Sequence, residues 1–280
     1  MALNIALVAD KQYKLPLETL LKSICYHNSN VTFYLLYDDI DKEWLDALEE
    51  LIGLFDNKLV SVKIEPSYFA QYKTLNHIST STYYRLLIPQ LIDVDRILYL
   101  DCDMIVDGNL ESVYFSEFEN KIICAVQDLY IEFVTHHYPF APEFEHYFNA
   151  GLLLIDVKHW RKENITLQAL ELAEKYQDQL LYADQDILNL VLHKKWKILP
   201  KEYNLQLAAR FALAKSGLSK LIGVAENLAG KSPVIFHYTT WRKPWSNDPE
   251  ARFKEKFWHY ANLDWQEIWL RNKAKIHRTF

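Results

Sequence analysis

Several signatures of large enzyme classes are missing from this chain. It has only six glycines in 280 residues, and neither glycine-rich phosphate-binding pattern, GxGxxG or GxxxxGKS/T, occurs. This argues against a dinucleotide-dependent dehydrogenase and against a P-loop NTPase. The patterns GxSxG, HExxH and paired CxxC are also absent, so a nucleophile-elbow hydrolase, a zinc hydrolase and a zinc finger have no support.

Cysteine and long apolar runs are scarce as well. The three cysteines, Cys25, Cys102 and Cys124, are too few for a disulfide framework, which indicates a reducing compartment. No stretch reaches about 18 consecutive apolar residues, and the first 13 residues lack a basic region before their short apolar run. We therefore expect a cytoplasmic protein without an export signal or a membrane span.

Charge is distributed unevenly along the chain. The net formal charge is -6, yet residues 251–280 carry seven Lys or Arg against three Asp or Glu. The acidic body argues against nucleic acid as a partner. We divide the chain into a main domain, 1–250, and a basic tail, 251–280, with Trp258, Trp265 and Trp269. Two alternatives stand for the tail: peripheral contact with the anionic inner face of a membrane, or a packed helix with a solvated basic end.

Apolar runs in the first 64 residues alternate between strand and helix lengths. Strands are predicted at Leu3–Ala9, Val31–Tyr37 and 60–64, with a helix after each of the first two and Asp41 as the cap of the second helix. This β-α-β-α-β order predicts an α/β fold with a parallel sheet covered by helices on both faces. In such sheets, ligands bind beyond the carboxyl ends of the strands.

The rest of the chain continues this alternation with one irregular segment. Residues 129–148, rich in aromatics and histidine, are interpreted as a long loop that either covers the ligand or packs as an excursion. Around it we predict a helix over 80–88, strands over 122–126 and 152–155, a helix opening at 184, and a last strand over 234–237.

Two carboxylates follow the most apolar predicted strand. Residues 96–100, RILYL, lead directly into Asp101-Cys102-Asp103. Side chains two apart in an extended segment project to the same side, so Asp101 and Asp103 can approach one object together. A divalent cation such as Mn²⁺ or Mg²⁺ would relieve their mutual repulsion. The alternative is a turn with two solvated aspartates.

The DxD is one of six motifs that occur in a fixed order. They are VADKQY (8–13), STYYRL (81–86), LYLDCDMIV (98–106), FNAGLLLID (148–156), YADQDILN (182–189) and HYTTWRKPW (237–245). Over residues 3–250 this set resembles glycosyltransferase family 8, whose retaining enzymes include glycogenin and bacterial lipo-oligosaccharide α-galactosyltransferases. The resemblance implies a Rossmann-like fold of the GT-A type with a mixed central sheet, and a catalytic domain over 1–250.

The resemblance also implies a reaction and its partners. The donor would be UDP-galactose or UDP-glucose, and the acceptor would be a lipid-linked sugar, as in lipopolysaccharide biosynthesis, a glycan or a glycoprotein. Manganese, or magnesium in its place, would bridge the phosphates of the departing UDP and neutralise their developing charge.

Residue roles follow from the same resemblance. The metal ligands would be Asp101, Asp103 and His237. The substrate-binding residues would be Val8, Ala9, Asp10 and Tyr13 at the uracil end, Arg85, Thr240 and Lys243 at the phosphates, and Asp128, Asn149, Ala150, Asp184 and Gln185 at the sugar, with Asp101, Cys102 and His237 shared between donor and metal. Between the two aspartates, the Cys102 side chain would point away from them into the packing.

Gln185 and Asp184 are the predicted catalytic residues. Gln185 would lie on the reactive face of the anomeric carbon, but an amide is a feeble nucleophile. We favour same-face attack, with the leaving phosphate accepting the proton of the acceptor, while Asp184 keeps a double displacement open. The chain departs from the family pattern at Gln12, where relatives have asparagine, and at Thr240, where they have glycine.

Two alternatives from other classes compete with this interpretation. A haloacid-dehalogenase-type phosphatase also has a strand running into DxD, although usually on its first strand. A non-catalytic module that binds sugar nucleotides could retain the same fold. UDP-sugar hydrolysis with manganese, compared with p-nitrophenyl phosphate hydrolysis with magnesium, separates these alternatives.

Overall fold

The computed structural model describes residues 2–65, 80–134, 145–176, 179–207, 213–217, 219–239, 241–246 and 248–276. The strands are β1 (Leu3–Val8), β2 (Val31–Tyr37), β3 (Lys58–Lys63), β4 (Arg96–Leu100), β5 (Met104–Val106), β6 (Ile123–Gln127), β7 (Phe148–Asp156), β8 (Trp196–Ile198), β9 (Leu205–Gln206) and β10 (Ile235–His237). The α-helices are α1 (Lys14–His27), α2 (Lys42–Gly53), α3 (Ile88–Leu91), α4 (Glu111–Tyr114), α5 (Leu129–Val134), α6 (Val157–Lys162), α7 (Ile165–Tyr176), α8 (Ala183–Val191), α9 (Ile222–Glu226), α10 (Lys254–Ala261) and α11 (Trp265–Ile276). Short 3-10 helices cover Lys11–Tyr13, Thr80–Leu87, Lys201–Tyr203 and Ser219–Leu221.

The central sheet has seven strands in the order β3-β2-β1-β4-β7-β6-β8. Six strands run in one direction, and β7 runs antiparallel to both of its neighbours, β4 and β6. This reversal places the amino end of β7 beside the carboxyl end of β4, where the backbone N–H of Asp101 donates to the carbonyl of Gly151 at 2.8 Å. The mixed sheet predicted from the family resemblance is confirmed.

Two apolar layers cover the two faces of this sheet, because side chains alternate along each strand. On β4, Leu98 and Leu100 pack in the layer that contains α1 and α2, whereas Ile97 and Tyr99 pack in the layer that contains α6, α7 and α8. Helices on both faces were predicted and are confirmed. All four of these residues are buried, which holds the carboxyl end of β4 and the DxD that follows it in a fixed position.

A small second sheet, in the order β5-β10-β9, brings the last strand to the DxD. Strand β10 pairs antiparallel with β5, with His237 opposite Met104, and the N–H of Tyr238 donates to the carbonyl of Asp103 at 2.9 Å. The pairing therefore sets His237 next to Asp103, although the two residues are far apart in sequence.

The basic tail forms two helices, α10 and α11, that pack against α1. Trp265 and Ile268 are buried in the same layer as α1 and α2, while Trp258 is 38% exposed. In the described part of the chain, no helix is both long enough and apolar enough to cross a membrane.

Local details differ from the sequence predictions in four places. The segment predicted as a helix over 80–88 is a 3-10 helix to Leu87, followed by a short α-helix in which Pro89 is tolerated near the first turn. Asp41 precedes α2, but its carboxylate pairs with Lys14 instead of capping the helix. Residues 129–134 are helical rather than loop, and 135–144 of that segment lie outside the described residues. Strand β7 begins at Phe148, four residues before the predicted strand.

Candidate active site

A cleft of about 440 Å³ opens at the edge of the large sheet where β1 and β4 end. Parallel strands deliver their carboxyl ends to one edge, so the residues that follow β1 and β4 converge there. Seven of the predicted substrate-binding residues line it: Val8, Ala9, Asp10, Tyr13, Arg85, Asp101 and Cys102.

Asp101 and Asp103 line this cleft, and the buried His237 lies next to them. One ligand atom from each falls within 4.8 Å of the others. The Nε2 atom of His237 is 3.2 Å from Oδ1 of Asp103 and 3.8 Å from Oδ2 of Asp101. The carboxylates converge because the chain turns between β4 and β5, not through the strand alternation expected from the sequence. The alternative of two solvated aspartates does not fit, since the side chain of Asp103 is only 12% exposed.

The donor set of this group suits a divalent cation. Oδ1 of Asp103 is buried and receives no hydrogen bond from any described residue, although His237 Nε2 is nearby. Carboxylate oxygens with one imidazole nitrogen match the preferences of Mn²⁺ and, less closely, Mg²⁺. A Cβ atom built on Gly151 would lie 2.4 Å from Cε1 of His237 and 2.8 Å from Oδ2 of Asp101. The absence of a side chain at this position therefore allows His237 and Asp101 to pack directly against the backbone of β7.

Lys243 is the cation paired with Asp103. Its Nζ atom lies 2.5 Å from Oδ2 of Asp103 and donates to the carbonyl of Tyr238 at 2.6 Å. Burial alone would raise the pKa of Asp103, but Lys243 and His237 outweigh it and hold that pKa well below the usual range. Asp103 is therefore ionised at neutral pH, as a carboxyl group must be to bind a metal.

Arg85 connects two parts of the site. One is the group of Asp101, Asp103 and His237, named here the metal-binding group after its predicted role, and the other contains residues predicted at the sugar. Its guanidinium contacts Oδ1 of Asp101 at 3.1 Å and Oδ2 of Asp184 at 2.7 Å, and it donates to the carbonyl of Ala150 at 2.8 Å. The contact with Asp184 is an ion pair without an aligned hydrogen bond, because no donor of the described residues points at that oxygen. Burial raises the pKa of Asp184 to about 6 against the opposing effect of Arg85, and the charge of Asp101 raises it further.

Asp128, Asn149 and Gln185 form a buried hydrogen-bonded set, named here the amide group. Oδ2 of Asp128 accepts from Nδ2 of Asn149 at 3.2 Å and from Nε2 of Gln185 at 3.3 Å. Oε1 of Gln185 accepts from the backbone N–H of Ala150 at 2.9 Å and from Nδ2 of Asn149 at 3.2 Å. Burial raises the pKa of Asp128 while these donors oppose the shift. The structure thus brings together the residues predicted at the sugar.

The residues predicted at the uracil end follow β1. Asp10 caps the 3-10 helix Lys11–Tyr13, and its Oδ1 accepts from the N–H groups of Gln12 at 2.8 Å and Tyr13 at 3.2 Å. Burial, followed by the nearby charges of Asp103 and Asp101, raises the pKa of Tyr13 to about 12, so its hydroxyl stays protonated at neutral pH. Cys102 is buried in the core as predicted, and its thiol donates to the carbonyl of Val8 at 3.1 Å.

The sequence motifs assigned no individual role to Tyr99, Asn204 or Asn189, which the structure places in or beside the site. Tyr99 donates to Oδ1 of Asp101 at 2.5 Å, and the guanidinium of Arg85 lies over its ring at 4.7 Å. Asn204 bridges His237 and Asn149, yet in sequence it follows only an irregular segment. Asn189 falls within the YADQDILN motif and binds both backbone groups of Phe148. Thr240, predicted at the phosphates, lies outside the described residues.

The family follows from the chain as a whole. A family model described as Glycosyl transferase family 8 matches residues 4–248, which is most of the chain. The chain belongs to glycosyltransferase family 8. The resemblance drawn from the six motifs is therefore confirmed, and the phosphatase alternative is not supported.

Two curated relatives of this family 8 glycosyltransferase come from Streptococcus pneumoniae TIGR4. Glycosyltransferase GlyF is 35% identical over 265 residues, covering 95% of this chain and 63% of GlyF. Glycosyltransferase GlyB is 33% identical over 278 residues, covering 99% of this chain and 66% of GlyB. The chain thus spans no more than about two thirds of the length of these two relatives.

Two solved structures share the fold. Glycosyltransferase GlyE of S. pneumoniae TIGR4 superposes with a TM-score of 0.82 at 28% identity, covering 98% of this chain and 64% of GlyE. The galactosyltransferase LgtC, solved with donor and acceptor sugar analogs, superposes with a TM-score of 0.78 at 25% identity, covering 95% of this chain and all of LgtC. The GT-A type fold implied by the motifs is confirmed.

Proposed function

We propose that this glycosyltransferase is a retaining hexosyltransferase that moves galactose or glucose from a UDP-sugar to a sugar-bearing acceptor. The observation that carries the proposal is the position of the Asp101, Asp103 and His237 group. Two of its members, Asp101 and Asp103, line a cleft that begins at Asp10 and Tyr13, and Arg85 links Asp101 to Asp184 and to the carbonyl of Ala150, next to the amide group. A nucleotide-sugar donor needs three features next to one another: a pocket for the base, a cation at the diphosphate and polar groups at the sugar.

Manganese, with magnesium as the alternative, is the metal we propose for this group. When bound, it would act as a Lewis acid that stabilises negative charge on the leaving diphosphate. Asp101, Asp103 and His237 would hold it, because their atoms converge and one buried oxygen of Asp103 has no other donor among the described residues.

Arg85 and Lys243 would supply further positive charge at the phosphates. In the structure each is paired with a carboxylate of the metal-binding group, at 3.1 Å for Arg85 and 2.5 Å for Lys243. Both are therefore held in place beside the predicted phosphate position before a donor arrives. Fixed cations aimed at developing charge lower a barrier without reorganisation.

The amide group would orient the transferred sugar. Amide and carboxylate groups with fixed donor and acceptor directions discriminate between hydroxyl epimers. In the proposed same-face reaction the bond from the anomeric carbon to the phosphate oxygen breaks, and the acceptor oxygen bonds to that carbon. The hydroxyl proton of the acceptor passes to the leaving phosphate oxygen, and Gln185 supports the cation-like sugar.

A screen of UDP-sugars tests the proposal. We expect hydrolysis of UDP-galactose or UDP-glucose with Mn²⁺, loss of that hydrolysis in EDTA, and an α-configured product by NMR when an acceptor is supplied. Hydrolysis of p-nitrophenyl phosphate with Mg²⁺ serves as the negative control. Thermal stabilisation by UDP and Mn²⁺ without turnover on any donor would instead favour a non-catalytic binding module.

Contact of the tail with an anionic membrane is a separate proposal. The competing interpretation, a structural helix, fits the packing of α11 on α1 through Trp265 and Ile268. Deleting 262–280 would expose this packing and would confuse loss of membrane binding with unfolding. Reversing charge at Lys273, which is exposed, is a gentler test. Unchanged binding to vesicles of anionic lipid would then argue for a solely structural tail.

A further inference from the structure

Asn204 stands between the metal-binding group and the amide group. It is 2% exposed and lies after the 3-10 helix Lys201–Tyr203, immediately before β9. Its Oδ1 atom is 2.9 Å from Nδ1 of His237, and its Nδ2 atom donates to Oδ1 of Asn149 at 2.9 Å. The side chain thus contacts one predicted metal ligand and one predicted sugar-binding residue at the same time.

Two neighbouring groups, one that can only donate and one that accepts, determine the orientation of the Asn149 side-chain amide. The backbone N–H of Gly151 can only donate, and it points at Oδ1 of Asn149 at 3.1 Å. Oδ2 of Asp128 already accepts from Gln185, and it faces Nδ2 of Asn149 at 3.2 Å. An amide flipped by 180° would set donor against donor and acceptor against carboxylate. The oxygen of Asn149 therefore faces Asn204.

The same donor and acceptor argument determines the orientation of Asn204 and then which nitrogen of His237 carries the proton. Because Oδ1 of Asn149 needs a donor, Nδ2 of Asn204 must face it, which turns Oδ1 of Asn204 towards His237. An amide oxygen can only accept, so Nδ1 of His237 carries the proton. Nε2 is then the ring nitrogen that faces Asp101 and Asp103, and it is the nitrogen that would be available to a bound cation.

We propose that Asn204 is a positioning residue that selects the Nδ1-protonated tautomer of His237 and fixes the metal-binding group relative to the amide group. The inference rests on the proposed metal-dependent function and deepens it. Asn204 is not among the residues that line the cleft, and it is not one of the three proposed ligands. It acts through His237 on one side and through Asn149 on the other.

Two substitutions separate these two contacts. Asn204→Leu preserves the approximate volume and removes both hydrogen bonds, so we expect Mn²⁺ affinity to fall 10- to 100-fold, the range typical of lost outer hydrogen bonds to metal ligands. Asn204→Asp keeps an acceptor for Nδ1 of His237 but has no donor for Asn149. We expect its Mn²⁺ affinity to stay within about threefold of wild type, while transfer from the UDP-sugar falls at least tenfold.

Mn²⁺ titration followed by electron paramagnetic resonance measures these affinities without turnover. In the metal-free protein, long-range ¹H–¹⁵N spectra of the histidine ring report whether Nδ1 is protonated, and we expect the Nδ1–H form in wild type and its loss in Asn204→Leu. Asn57→Leu is the matched control. Asn57 is equally buried and accepts from the N–H of Val31, far from the site, so that variant should lose stability but keep Mn²⁺ affinity.

A folded Asn204→Leu protein with wild-type Mn²⁺ affinity would overturn the inference. If that variant does not fold, Asn204→Asp decides, because a more than tenfold loss of Mn²⁺ affinity there would contradict a role through the retained acceptor. Failure of the proposed function gives a different result, since wild type itself would then neither bind Mn²⁺ nor cleave a UDP-sugar.

Discussion

The metal-binding group and the amide group lie side by side, yet they satisfy their polar atoms in opposite ways. In the first, carboxylates of Asp101 and Asp103 face an imidazole nitrogen, and one buried oxygen has no hydrogen-bond donor among the described residues. In the second, Asp128, Asn149 and Gln185 donate to and accept from one another at 3.2–3.3 Å. Among the described residues, the first group therefore keeps a buried oxygen without a donor, whereas the second satisfies its polar atoms internally.

This difference separates two kinds of defect. Damage to the metal-binding group should appear as a changed requirement for Mn²⁺ and should shrink as Mn²⁺ is raised. Damage to the amide group should lower turnover by the same factor at any Mn²⁺ concentration, because preorganised hydrogen bonds act on the sugar and not on the cation. The dependence on Mn²⁺ concentration therefore assigns a residue to one group or the other.

The largest effect is expected from Asp103→Asn. This change removes one ligand charge and the partner of Lys243, and losing several kcal/mol of charge stabilisation corresponds to about a 10³-fold drop in turnover. Initial rates with a UDP-sugar at increasing Mn²⁺ measure it. Asp93→Asn is the control, because that carboxylate is 96% exposed. A loss of less than tenfold would remove Asp103 from the metal-binding group.

Gly151→Ala should disturb the metal-binding group by steric crowding, without a change of charge. The added methyl would approach Cε1 of His237 to 2.4 Å and Oδ1 of Asn149 to 3.0 Å, so the imidazole must move. We expect Mn²⁺ affinity to fall about 10- to 100-fold, as measured by calorimetry. Gly53→Ala, with no atom within 4 Å of its added methyl, should leave affinity unchanged. Equal affinity in both variants would show that the site tolerates a side chain at 151.

Gln185→Ala tests the amide group. It leaves the N–H of Ala150 without its acceptor, and an unsatisfied buried donor costs about 1–3 kcal/mol. We expect turnover to fall about 10- to 100-fold at every Mn²⁺ concentration, with UDP affinity unchanged. Gln168→Ala on α7 is the control, since the side chain of Gln168 makes a local hydrogen bond to the carbonyl of Glu163. Activity near wild type would make Gln185 a purely structural residue.

The smallest effect concerns the pH dependence of stability through Asp184. Burial raises the pKa of Asp184 to about 6 in the folded protein, whereas an unfolded aspartate has a pKa near 3.9. The folded state therefore binds this proton more tightly, and its contribution to stability is lost as pH rises from about 4 to 6. A shift of about two pKa units corresponds to at most about 3 kcal/mol.

Asp184→Asn cannot titrate and should lack this contribution. Urea unfolding without metal at pH 4.5 and pH 7.5, for wild type and variant, measures the difference. We expect wild type to lose stability relative to the variant as pH rises. If the two proteins keep a constant difference, Asp184 is ionised across the range and Arg85 dominates its environment.

The fold and much of the site could be predicted from the sequence, because local patterns and ordered motifs carry that information. Apolar runs predicted β1, β2 and β4, and the motifs identified the residues that the structure gathers around the cleft. The reversed direction of β7 could not be derived from its apolar pattern, since a buried strand has the same composition in either direction. The family resemblance implied a mixed sheet but did not indicate which strand is reversed.

Asn204 could not be predicted because its role depends on a contact made in three dimensions. Its neighbours in sequence form a short 3-10 helix and a two-residue strand, neither of which has a recognisable period. The true conformation between Asp101 and Asp103 was missed for a related reason. A turn of so few residues resembles the continuation of a strand when only the apolar pattern is considered.

The position of β7 also determines how the site is lost when the protein opens. Strand β7 pairs with β4 over 152–156 and with β6 at Phe148 and 153–155, whereas the N–H groups of Ala150 and Gly151 donate to the side chains of Gln185 and Asn149. Amides in the paired part of the strand should exchange with solvent mainly through global unfolding, whereas those of Ala150 and Gly151 should also exchange when the amide group rearranges locally. Hydrogen exchange at 152–156 should therefore report on the fold as a whole, and exchange at 150 and 151 on the order of the amide group.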